Sequence, residues 1–138
     1  MTPFDAFPPP PCAVLLGWTL LDHDAAKGTI RVAFDGRAEF LNPAGFVQGG
    51  MLAAMLDDTM GAAVFAATGG RLYTVTVGMN VSYLAPAKAG KLIGEGRIVQ
   101  LGKSIAFLEA DLRGEDTSVL ARATAHARLV ETARLAAA

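Results

Sequence analysis

The sequence predicts an α+β fold in which a curved antiparallel sheet wraps around one long central helix. Three observations carry that expectation. Residues 49–67 form a proline-free run rich in Ala, Leu and Met, good helix formers. Within the run, Met51, Leu52, Met55, Leu56, Met60, Val64 and Phe65 go nearly all the way round a helix, so it is buried on most sides and belongs to the core. The remaining segments read as five or six strands, with no second helix to cover another sheet face.

Taken in order, residues 1–11 hold five of the seven prolines and are expected to form an extended, non-helical arm. Residues 12–130 are expected to make one domain, and 131–138 a C-terminal tail. Cys12 to Leu16 reads as a short helix or as the run into a strand over Trp18 to Leu21. The polar stretch Asp22 to Gly28 reads as a turn, and Thr29 to Phe34 places Ile30, Val32 and Phe34 on one face of a second strand. After the loop Asn42-Pro43-Ala44-Gly45 and the long helix, Gly69-Gly70 stops the helical run.

Beyond Gly70 the chain reads as strands joined by turns. Tyr73 to Tyr83 alternates throughout, predicting Tyr73, Val75, Val77, Met79, Val81 and Tyr83 on one face and Thr74, Thr76, Gly78, Asn80 and Ser82 on the other. Leu92 to Gln100 and Ser104 to Arg113 are joined at Gly102-Lys103. The last strand, Val119 to Val130, sets Ala121, Ala123, Ala125 and Ala127 on one face, leaving room for a helix lying close.

Composition narrows the function. The 138 residues suffice for one sizeable core. Hydrophobic residues make up 52% against 18% charged, a surplus assigned to an oligomer interface because no stretch reads as long and charge-free enough to span a bilayer. Net charge is -1, with no basic footprint for nucleic acid. A single Cys12 excludes an internal disulfide framework and fits a reducing compartment, and MTPFDAFPPPPC lacks the features of a secretory signal, so a cytoplasmic location is expected.

The chemistry concentrates on the long helix. Asp57 and Asp58 interrupt its apolar run, and acids are rarely buried without a partner or a task. Gly49 and Gly50 stand at its start, where unpaired N–H groups and the positive dipole end face outward and absent side chains let a ligand oxygen approach. Gly49 and Asp57 are eight residues apart, roughly 12 Å along one helix at about 1.5 Å per residue, so they cannot serve one carbonyl from a single chain. A two-fold antiparallel dimer would bring one copy's carboxylate to the other's glycines.

Asn42-Pro-Ala-Gly-Phe-Val-Gln48-Gly49-Gly50, followed by Leu56-Asp57-Asp58, resembles the N-x-x-G-x-x-H-G-G…L-[AL]-D pattern of the PaaI-like branch of hotdog-fold acyl-CoA thioesterases. Met79 to Ala87, Gly90, Gly102-Lys103-Ser104 and Leu120 to Ala123 agree in order and spacing, so the resemblance covers roughly Leu16 to Leu129. It implies hydrolysis of an acyl-CoA without a metal or cofactor, coenzyme A being part of the substrate. The Gly49 amide would polarise the thioester carbonyl, and Asp57 of the partner subunit would act as nucleophile or as base for water.

The resemblance also implies that Thr76 holds the attacking water, that Asn42 orients the active-site loop or the acyl group, and that Asp58 is structural. Gln48 takes the place of the usual histidine; it can donate and accept hydrogen bonds but does not titrate near neutral pH. Gly50 belongs to the same approach, while Lys103 and Ser104, Lys88, Lys91 and Arg71 are candidates for the phosphates of coenzyme A. A homodimer is required for the site and a tetramer, as a dimer of dimers, is expected. The competing expectation is a non-catalytic acyl-CoA binding module, which the Gln48 departure favours. A hydratase on the same fold would need a histidine near the helix start, and His23 and His126 lie elsewhere, with no metal-ligand spacing.

Overall fold

The computed structural model describes residues 1–137, so Ala138 of the expected tail lies outside the described residues. Six strands follow the chain as β1 (Thr19–Asp24), β2 (Thr29–Gly36), β3 (Leu72–Tyr83), β4 (Gly90–Leu101), β5 (Ile105–Arg113) and β6 (Val119–Glu131), with helices α1 (Pro11–Leu16) and α2 (Gly49–Ala67). They form one sheet in the order β1-β2-β4-β5-β6-β3, antiparallel at every pairing. α2 packs against all six strands, which is the hotdog arrangement that the sequence predicts.

Small residues let the helix sit close. Ala121, Ala123, Ala125 and Ala127 of β6 are buried beneath α2. On β4, a Cβ at Gly94 would collide with the Thr59 hydroxyl, and one at Gly96 would stand 3.0 Å from the Thr59 carbonyl oxygen. Thr59 itself is buried and satisfied, its hydroxyl donating to the Met55 carbonyl at 2.7 Å. Met55, Leu56 and Met60 are fully enclosed, each worth about 1.5–3 kcal/mol of burial.

By length and mean hydropathy, 1.3 over its apolar window, α2 would suffice to cross a bilayer, against the expectation that no stretch does. Its apolar character is accounted for by the sheet, which covers Leu52, Met55, Leu56, Met60, Ala63 and Val64.

Three local expectations are corrected. Residues 1–11 are not uniformly extended: Pro3–Ala6 is a 3-10 turn, with the Thr2 N–H donating to Asp5 Oδ2 at 2.6 Å. Phe4 drives this, its ring centroid 4.9 Å from that of Trp18 and 5.1 Å from that of Phe65. Asp22 to Asp24 is strand rather than turn, since an edge strand tolerates charge; Asp22 pairs with Arg31 across the strands at 3.2 Å. On the same strand, His23 is half-buried and its Nδ1 is buried without a hydrogen-bond partner.

The third correction bears on the site. β3 shifts register between Thr76 and Gly78, with Thr76 opposite Ala127 and Met79 opposite Ala125. Both alanines face the helix, so Thr76 faces it together with Met79, and the alternation breaks at a bulge. Val75 and Val77 are left 45% and 56% exposed rather than joining the inner face.

Candidate active site

The loop before α2 is built by Asn42. Its Oδ1 accepts the N–H groups of Ala44 at 3.0 Å and Phe46 at 3.1 Å, while its own N–H donates to the Phe46 carbonyl at 2.7 Å. The folded loop delivers Gln48 to the helix start, where its N–H donates to the Phe40 carbonyl and its carbonyl accepts from Met51 and Leu52. The Gln48 side chain is exposed and makes no capping bond. Among the described residues, the N–H groups of Gly49 and Gly50 find no protein acceptor. Beside them opens a cavity of about 340 Å³, lined by Asn42, Phe46, Gly49, Leu52 and Tyr83 among others.

Asp57 lies two turns further along the same helix, half-buried on the flank toward β3. The Thr76 hydroxyl donates to its Oδ1 at 2.7 Å, a contact that exists because the bulge aims Thr76 at the helix. Oδ2 accepts no protein donor among the described residues. The carboxylate is therefore held by one oxygen and open at the other, a geometry suited to acting on a proton or an acyl carbon.

Asp58 points to the other flank, and its Oδ2 is buried without a hydrogen-bond partner, so no backbone or side-chain bond anchors that oxygen. Burial, and secondarily the Asp57 charge, push its pKa up to about 6. Cys12 on α1 senses the same pair, its thiol pKa raised by partial burial first and then by Asp58 and Asp57.

The candidates for coenzyme A do not gather within one chain. Lys88 and Lys91 flank the start of β4, whereas Lys103 and Ser104 follow its end, roughly 40 Å away along a twelve-residue strand. Arg71 lies beyond the C-terminal end of α2, where its carbonyl accepts the Thr132 N–H at 2.9 Å. A larger cleft, about 510 Å³, is lined by Arg31, Lys91, Glu95, Arg113 and Glu115. It sits on the sheet face opposite α2, its arginines already paired with Glu95, and is remote from Asp57. Among the described residues, no group of three or more His, Cys, Asp or Glu side chains is placed to hold a metal.

One residue at the site was not singled out from sequence. Tyr83, the last residue of β3, donates its hydroxyl to the Gly49 carbonyl at 3.0 Å. In the sequence it is only one more residue in an alternating strand; the sheet order alone brings the end of β3 beside the start of α2.

The chain matches the family model described as the thioesterase superfamily over residues 44–121, more than half its length. It is 30% identical over 97 residues to human acyl-coenzyme A thioesterase 13, an alignment covering 70% of this chain and 69% of that one. A phenylacetic acid degradation-related protein from Ralstonia eutropha JMP134 superposes with a TM-score of 0.85 at 34% identity, covering 91% of this chain and 95% of the other. The E. coli PaaI protein from the phenylacetic acid degradation operon agrees in fold, with a TM-score of 0.78 at 21% identity over 86% and 83% of the two chains. Family, relatives and architecture converge: the chain belongs to the thioesterase superfamily, within its PaaI-like hotdog branch, and is a thioester hydrolase.

Proposed function

We propose that the protein hydrolyses acyl-CoA thioesters at sites shared between two subunits, with Gly49 of one and Asp57 of the other acting on the same carbonyl. The observation that carries this reading is the Thr76–Asp57 hydrogen bond at the unpaired edge of the sheet. β3 runs twelve residues, carries no charge and has a neighbour on one side only. Such an edge is a template for pairing with another chain. Pairing there sets two α2 helices antiparallel about a two-fold axis and offsets the separation of roughly 12 Å between Gly49 and Asp57.

In the reaction, the free amides at the start of α2 hold the thioester oxygen as it gains negative charge, helped by the helix dipole. Asp57 either attacks the carbonyl carbon itself or takes a proton from the water that does so, with Thr76 fixing the carboxylate. The C–S bond then breaks, coenzyme A leaves as the thiolate and takes up a proton, and the free acid departs, after water has cleaved any acyl-enzyme. Asn42 acts by shaping the loop, its Oδ1 being engaged with Ala44 and Phe46. Gln48 serves without titrating. Lys88 or Lys91 of one subunit and Lys103 of the other are candidates for the phosphates, and the exposed outer face around Phe107 gives dimers a surface for pairing into tetramers. A cytoplasmic setting suits the single thiol.

The second reading, an acyl-CoA binding module, draws on the uncharged, unbonded side chain of Gln48. A thiol-release assay over aryl, short-chain and long-chain acyl-CoAs, with Asp57→Ala alongside, separates the two. Turnover lost in the variant supports hydrolysis; saturable binding with no turnover in either protein supports the module. Light scattering showing a monomer at assay concentration would remove the shared site.

A further inference from the structure

We infer that Tyr83 is a positioning residue, tethering the first turn of α2 so that its free amides keep a fixed aim. The inference rests on the hydrolase reading for its kinetic consequence but not for its structural one.

The first turn of α2 is badly equipped to hold itself. Two consecutive glycines give it the most flexible backbone available. Gln48 supplies no side-chain cap, the usual means of fixing a helix start. The Gly49 N–H has no acceptor among the described residues, and its carbonyl comes second in the helical ladder, just after that of Gln48, where fraying begins. A ligand-polarising amide is useful only if it is preorganised. Something outside the helix has to supply the order.

Tyr83 meets that need from a rigid base. It stands opposite the buried Ala121 at the end of β3, and the N–H groups of Leu84 and Ala85 both donate to the Leu120 carbonyl, at 2.8 and 3.1 Å. From there its hydroxyl donates to the Gly49 carbonyl at 3.0 Å. Its ring carbons stand 3.3 Å from where a Cβ on Gly49 would lie. Ring and hydroxyl thus constrain two points of one residue, and a side chain at position 49 would press on that contact even with no substrate bound. The tether takes the place of the missing cap, and it ties the helix start to β3, the same strand that carries Thr76.

Tyr83→Phe keeps the ring and removes the hydroxyl, and two readouts are taken on the full-length protein. Hydrogen exchange is followed at the Ala53 amide, whose helical bond shares the Gly49 carbonyl, relative to Met60 in mid-helix. The expected result is exchange at Ala53 faster by about fivefold, with kcat lower by a similar factor and KM within about twofold of wild type. Unchanged exchange at Ala53, or unchanged kcat beside faster exchange, overturns the inference. A rise in KM alone also overturns it, by making Tyr83 a substrate contact. If the wild-type protein releases no thiol from any acyl-CoA, the hydrolase reading falls separately, and the exchange ratio alone decides the tether.

Discussion

The two flanks of α2 differ in how the chain closes them. On one side, Asp57 faces β3, an uncharged edge strand of twelve residues with nothing paired beyond it. On the other, Asp58 lies toward α1 and Cys12, and further along the same helix Phe65 is covered by Phe4 and Phe7. The edge on that side, β1, is half as long, bulged between Leu20 and Asp22, and bears Asp22 and Asp24. These are the devices that keep an edge from pairing. Two adjacent carboxylates, both half-buried, therefore meet opposite fates: Asp57 is held by a hydroxyl beside an edge open to another chain, and Asp58 keeps one buried, unpartnered oxygen behind the chain's own N-terminal segment. Residue type does not separate them; the edge each one faces does.

The largest effect should come from breaking the open flank. Asp57→Ala is expected to lower kcat by about 10²–10⁴-fold in the thiol-release assay, while light scattering shows the same assembly as wild type. A variant with wild-type turnover would sink the assignment of Asp57.

The closed flank should respond in stability, not turnover. The pKa of Asp58, about 6, lies above the 3.8 of an unperturbed aspartate. The folded protein therefore keeps an extra proton between those pH values, and stability falls as pH rises from about 4 to about 6. Above that window the loss levels at roughly 3 kcal/mol, from about 1.4 kcal/mol per pKa unit. Asp58→Asn should raise the unfolding free energy at pH 8 by about 2–3 kcal/mol and leave it little changed below pH 4. Denaturant titrations at the two pH values read this, and a gain that is the same at both would contradict it.

A smaller effect sharpens the same contrast. Thr76→Val keeps the branched shape on β3 and deletes the hydroxyl that holds Asp57, so kcat should fall about tenfold. An unaltered kcat would mean that the bond is incidental to catalysis.

Much of this contrast is legible in the sequence, and the reasons differ by element. The bounds of α2 follow from Gly49, the Ala-Leu-Met run and the glycines after Thr68, all local signals. The alanine face of β6 is visible as a period of two. The bulge at Val77 is not, because an alternating strand looks the same until its partner's register is known. That one residue decides whether Thr76 and Met79 can both face the helix. Phe4 hides among prolines that argue for an extended arm, since its packing on Phe65 spans a long separation in sequence. Tyr83 at Gly49 and the scattered lysines are of the same kind: residue type is legible, proximity is not.

The claim that the site is shared can be tested by subunit mixing. Asp57→Ala and Gly49→Val are each prepared as inactive homodimers, unfolded together, refolded as a mixture and assayed for thiol release. If Gly49 and Asp57 act across the interface, each mixed dimer carries one site with both lesions and one with neither. Activity should then return to about a quarter of the wild-type value, half the dimers being mixed and half their sites intact. A mixture as inactive as its parents would mean that both residues act within one chain, contrary to the shared site.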